Sequence, residues 1–152
     1  MHLPRYLAML VDTERALADA YVAMSAGHRA DADVTFTCAS FARQATAHAA
    51  ELAATVEDRY PSTGDGPDRL RPAPFTTTRT GAVGLLRDLA ELHQLAVFAE
   101  TTWELVEQVG YGLRDRELIA IASRRSTGLG VQVAWMRTRM KAEAAQALLV
   151  AT

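Results

Sequence analysis

Residues 61–80 read P-S-T-G-D-G-P-D-R-L-R-P-A-P-F-T-T-T-R-T and separate two halves of the chain that both have helical periodicity. Four of the five prolines lie in this stretch, with two glycines and a threonine run, so no regular element is expected there. Fully extended, these residues could span about 65 Å, whereas the preceding helix should be about 40 Å long. We therefore predict that residues 61–81 form a crossover along a bundle and do not link two domains.

Apolar residues on both sides of this stretch recur every three or four positions, which is typical of helices with one buried face. The clearest seam comprises Val34, Cys38, Phe41, Ala45, Leu52 and Val56, with His48 in the gap. The pattern predicts four helices, over residues 4–26, 33–60, 82–110 and 116–145, with Asp115 capping the fourth. Hence we expect an all-α, antiparallel four-helix bundle that forms a single domain over residues 1–152.

Composition excludes several classes of function. A formal net charge of -2 and scattered arginines do not favour nucleic-acid binding. The one cysteine, Cys38, cannot form an internal disulfide, which favours a cytoplasmic location. Because no apolar run is long enough to span a bilayer, no membrane association is expected.

Ionisable residues interrupt the apolar seams near the middle of three helices: Glu14, His48 and Glu100. Burying a charge costs several kcal/mol unless the charge is paired or bound to a metal. Glu51 lies three residues after His48, at the edge of the same seam. The buried side chains among these are therefore expected either to be paired or to bind a metal.

This arrangement resembles the ferritin-like family of di-iron carboxylate bundles, over nearly the whole chain. That family uses a Glu from each of two helices and a Glu-x-x-His motif from each of the other two. Glu14 and Glu100 match the first-helix and third-helix Glu, and His48 matches the His of the second-helix motif. The resemblance implies iron or manganese as the metal. The segment 136–148 also looks like that of uncharacterised ferritin-like proteins from high-GC bacteria.

Three of the six expected ligands are missing. Ala45 stands where the second-helix motif needs Glu, and Leu129 and Gln132 stand in place of the fourth-helix motif. The resemblance therefore implies a degenerate di-iron site.

Arg125 lies on the inward seam of the fourth helix, and its guanidinium could replace the charge of a metal by binding Glu14 and Glu100 together. Other partners remain open at this stage. Glu14 could be paired with Arg125 or bonded by Tyr21, Glu100 could bond an arginine or Gln132, and His48 could bond either glutamate. His93 and Gln132 are expected to be further buried or edge polar residues, whereas His28 is expected to be exposed in a loop.

Two hypotheses for the function follow. The first is a non-enzymatic structural or interaction protein, and the second is a mononuclear iron or manganese oxidoreductase using Glu14, His48, Glu51 and Glu100. Whether the chain is an enzyme stays open. Either hypothesis is compatible with a homodimer or another protein partner, and Phe98, Trp135 and Met9 are candidate exposed positions for a dimer contact.

Overall fold

A computed structural model describes residues 2–62, 73 and 75–150 of the chain. Four α-helices follow one another: α1 (Leu3–Gly27), α2 (Ala32–Arg59), α3 (Gly81–Leu113) and α4 (Arg116–Ala145), with a short π-helical segment at Gln146–Val150. These residues contain no strand, which confirms the all-α prediction for the described part of the chain. Most of the predicted 61–81 crossover lies outside the described residues.

The helix ends follow from local chemistry. Pro4 stands in the first turn of α1, where its missing N–H has no partner to lose. The Asp115 side chain accepts a hydrogen bond from the Leu118 backbone N–H and thereby caps α4, as the sequence predicted. Arg114 ends α3 in the left-handed conformation, with φ 56°, so that only Arg114 and Asp115 separate α3 from α4.

Gly110 does not end α3, which continues to Leu113. Its backbone lies against α4, since a Cβ atom at this position would come within 2.8 Å of a side-chain carbon of Ile119. This glycine therefore allows two helices to approach closely. That role cannot be distinguished from helix termination in the sequence alone.

The core is formed by the seams of all four helices. Helix α1 packs mainly on α2 and α3 mainly on α4, and smaller contacts join α1 to α3 and α2 to α4. Fully buried apolar side chains from the four helices include Leu7, Leu10, Leu17, Val34, Leu52, Leu89, Leu92, Trp103, Leu118, Leu129 and Met136. The aromatic rings of Tyr21, Phe41 and Trp135 meet edge to face, with centroids 5.3 and 5.7 Å apart.

Polar contacts show which helix ends lie together. His28, just after α1, contacts Asp88 near the start of α3 at 2.8 Å. Arg59 at the end of α2 bonds Asp115 and Glu117 at the start of α4. Arg139, late in α4, bonds Asp33 at the start of α2.

The structure corrects the expected exposure of three residues. Met9 is 5 % exposed and His28 is also 5 % exposed, so both are buried. Trp135 is partly buried against the core, and of the three proposed dimer positions only Phe98 is exposed. None of the described helices is long and apolar enough to cross a membrane.

Candidate functional site

A buried ion pair joins α1 to α4 at the middle of the bundle. Arg125 Nε donates to Glu14 Oε1 at 2.8 Å and Nη2 donates to Glu14 Oε2 at 2.7 Å, and both side chains are 0 % exposed. Glu14 reaches the interior because it occupies the seam position between Leu10 and Leu17. Arg125 does so because it takes the seam position between Ala122 and Leu129. The guanidinium therefore binds the carboxylate through two parallel hydrogen bonds.

Trp103 of α3 completes the coordination of this carboxylate. Its indole Nε1 donates to Glu14 Oε1 at 2.6 Å, and the ring is fully buried. Glu14 thus accepts three hydrogen bonds, while Arg125 Nη1 is buried with no hydrogen-bond partner among the described residues. Three helices are held together by one carboxylate, which stabilises its charge inside the core.

A second buried polar contact lies two helical turns away. The Tyr21 hydroxyl donates to Gln132 Oε1 at 2.7 Å, and Gln132 Nε2 donates to Gln44 Oε1 at 3.1 Å. Burial raises the pKa of Tyr21 well above its usual range, so the phenol remains a hydrogen-bond donor at physiological pH. Gln132, which is 1 % exposed, therefore bridges α1 and α2 from α4.

His48 and Glu51 lie on α2, at the edge of its inward seam. The His48 side chain is 21 % exposed, and its Nδ1 lies 3.6 Å from Glu51 Oε2 without a hydrogen bond. Glu51 turns outward, where its carboxylate meets Arg124 at 2.6 Å. Burial, and then the positive charge of Arg125, lower the pKa of His48, which favours the neutral imidazole.

Glu100 lies apart from Arg125. Its Oε1 is 3.0 Å from the place where a Cβ would stand on Gly130, so the missing side chain of that glycine makes room for the carboxylate. Partial burial, and then the neighbouring Glu104, raise the pKa of Glu100. The expectation that Arg125 would bind two carboxylates together is therefore wrong, because both of its hydrogen bonds go to Glu14. His93 is half-buried on the same helix, with its Nε2 unpartnered among the described residues.

The residues present do not fit a di-iron centre. Both oxygens of Glu14 are already engaged by Arg125, and a cation beside that guanidinium would meet a like charge. At about 4 Å and an effective dielectric constant of 20, two such charges repel by about 4 kcal/mol. Within the described residues, no three His, Cys, Asp or Glu side chains are grouped so that they could hold a metal ion.

One buried polar group was not expected from the sequence. Asp88 is fully buried in α3. Its carboxylate lies 2.8 Å from His28 Nε2 and accepts hydrogen bonds from the Arg79 backbone N–H at 2.8 Å and from Arg79 Nη1 at 2.6 Å. It thereby ties the start of α3 to the end of α1. Asp88 lies next to Leu89 and one turn before Leu92 on a buried face, a signal that could have identified it.

Comparisons with protein-family models, with curated proteins and with solved structures return no match to this chain.

Proposed function

We propose that this chain is a ferritin-like helical bundle in which Arg125 replaces a metal as the counter-ion of Glu14, and that it acts as a structural or interaction protein. The bidentate, fully buried bond between these two residues is the observation that carries the proposal. A guanidinium supplies the positive charge that a buried carboxylate needs, with no bound ion.

The contacts between helix ends support the ferritin-like arrangement. The start of α3 lies beside the end of α1, and the end of α2 lies beside the start of α4. Because only residues 28–31 join α1 to α2, the end of α2 and the start of α3 belong at opposite ends of an antiparallel bundle. The proposed crossover would connect those two ends.

Burial of the central site argues against catalysis there. Glu14, Trp103 and Arg125 are all 1 % exposed or less, so no substrate can touch them without opening the core. Their polar side-chain atoms form hydrogen bonds with one another, apart from Arg125 Nη1, which has no partner among the described residues. The proposed function is therefore exercised through the outer faces of the helices, in a protein that we place in the cytoplasm.

The competing proposal is a mononuclear iron or manganese site. The unpartnered Nδ1 of His48, 3.6 Å from Glu51, favours it because a neutral imidazole and a carboxylate are suitable ligands for either metal. Against it, Glu51 is engaged by Arg124 and Glu14 by Arg125. A metal would have to displace both arginines.

Elemental analysis of protein purified without chelators tests this proposal. We expect no stoichiometric iron or manganese in the wild-type chain, and no change in melting temperature when either ion or a chelator is added. About one metal ion per chain, absent from a Glu14→Gln variant, would overturn the proposal in favour of the metalloprotein. A His93→Gln variant is the matched control, because it replaces a half-buried side chain that is not part of the Glu14, Arg125 and Trp103 cluster.

A further inference from the structure

A groove of about 730 Å³ runs along the outside of α1 and α2, and neither residue of the buried ion pair lines it. Its walls are formed largely by small apolar side chains: Val22, Ala26, Ala39, Ala42, Ala47 and Ala50. Val22 is 58 % exposed, and Phe36, on the same side of α2, is 74 % exposed. This face of the molecule therefore leaves apolar surface uncovered.

The groove has a positive wall, and an acidic side chain lies beyond it on α2. Arg29 and Arg43 line it, and neither has an ion-pair partner among the described residues. Glu57 is exposed near the end of α2, and it too lacks a partner within the described part of the chain. Opposite charges are thus separated along a single helix, where they cannot neutralise each other.

The spacing of these charges makes the face self-complementary. Phe36, Arg43, Ala47, Ala50, Ala54 and Glu57 follow one another at intervals of three, four or seven, so they lie on one stripe of α2. Arg43 and Glu57 are each seven residues from Ala50 (50 − 43 = 7 and 57 − 50 = 7). If two copies of α2 cross antiparallel at Ala50, each Arg43 faces Glu57 of the partner subunit.

We propose that a second copy of this chain docks on this stripe of α2, at the edge of the groove, about a two-fold axis at Ala50. Alanines at the crossing let the two α2 helices approach to about 8 Å, and the separation of 14 positions between Arg43 and Glu57 provides about 21 Å of contact. Burial of exposed apolar surface stabilises the contact, and the two pairs of Arg43 with Glu57 of the partner subunit fix the register. This inference rests on the proposed function, since it names the partner of a protein that acts through its outer faces.

Sedimentation equilibrium of the intact chain, with charge-exchange variants, tests the docking. We expect a monomer–dimer equilibrium that Arg43→Glu or Glu57→Arg weakens at least about tenfold, because each dimer then holds two like-charge contacts. The double variant carrying both exchanges should recover most of the wild-type affinity. Lys141→Glu, on an exposed part of α4, is the matched control and should leave the affinity unchanged.

A cysteine at the axis gives a second test of the same register. Ala50→Cys should form a disulfide-linked dimer on mild oxidation, whereas Ala134→Cys, at another exposed position, should not. Cys38 is buried and does not compete. A monomer at all concentrations would overturn the inference, and so would a dimer that is insensitive to both exchanges and does not cross-link at position 50. Metal content measured on the same samples reports separately on the proposed function.

Discussion

At the scale of single residues, the buried Glu14 carboxylate is stabilised by three donors, two from Arg125 and one from Trp103. Such a pair does not necessarily add stability, because removing two charges from water costs several kcal/mol per ion. Its clearer effect is on specificity, since any slip of α4 along α1 would leave two buried charges unpaired.

The glycines of α4 differ in what surrounds them. Position 128 has no atom within 4 Å of a built Cβ, while at position 130 the Cβ would come within 3.0 Å of Glu100 Oε1. Because Gly in a helix is about 1 kcal/mol less favourable than Ala, Gly128→Ala should raise the free energy of unfolding by roughly that amount. Urea denaturation measures it.

Gly130→Ala is the control for this prediction. The same gain in helix propensity should be reduced or cancelled there, since the Glu100 carboxylate must move away. Equal stabilisation by both substitutions would contradict the close packing at Gly130.

At the residue scale, the sequence is least informative about which buried polar side chains form hydrogen bonds with one another. The seams identified Glu14, Arg125 and Gln132 as inward positions, and all three are buried. Long flexible side chains can reach several neighbours, however, so the pattern could not predict that Arg125 binds Glu14 alone. It also could not predict that Tyr21 bonds Gln132.

At the scale of helices, the junction between α2 and α4 depends on Asp115. This carboxylate caps α4 and accepts hydrogen bonds from Arg59 and Tyr60 at the end of α2. Although burial acts to raise the pKa of Asp115, the bonds from Arg59, Tyr60 and Leu118 lower it to about 2. The ionised form is therefore favoured in the folded state.

Acid should weaken this junction. The unfolded pKa of Asp is about 3.9, above the folded value, so the stabilisation is present above about pH 4 and is lost as the pH falls towards 2. Across that interval Asp115 should contribute about 2 kcal/mol of pH-dependent stability. Urea unfolding at pH 5, 4, 3 and 2 measures the slope.

Asp115→Asn is the matched variant, because it retains a capping side chain without the titrating group. It should be less stable than the wild type at pH 5 and should lose less stability on acidification. Parallel pH profiles for the two proteins would contradict this role of Asp115.

Hydrophobic periodicity and capping rules identified the helices because they depend on neighbours along the chain. Asp115 was predicted to cap α4 on that basis, and it does. The continuation of α3 past Gly110 was not predicted, since a glycine that ends a helix and one that lies close to another helix, as Gly110 lies close to Ile119, look the same along the chain.

At the scale of the whole molecule, the two buried contacts between α1 and α4 have the same sequence separation. Glu14–Arg125 and Tyr21–Gln132 are both 111 residues apart. Two contacts in one register fix the position of α4 along α1, and Gln44 extends the second contact to α2. The polar core thus specifies how the helices align, and apolar packing supplies most of the burial.

Long-range burial explains what the sequence could not predict at this scale. His28 looks like a loop residue, but it is buried where it contacts Asp88, which is distant along the chain. Met9 likewise looks like an outer position, although it is 5 % exposed. Such positions depend on which helices become neighbours.

The most direct test of the Glu14–Arg125 pair as the internal charge balance is a double-mutant cycle, with Glu14→Leu, Arg125→Met and the double variant. Each single substitution leaves a buried charge unpaired and should lower the free energy of unfolding by about 3–5 kcal/mol. The double variant should cost far less than the sum, with a coupling energy of at least about 2 kcal/mol. Additive losses in urea denaturation would contradict the account, because the two residues would then be stabilised independently of each other.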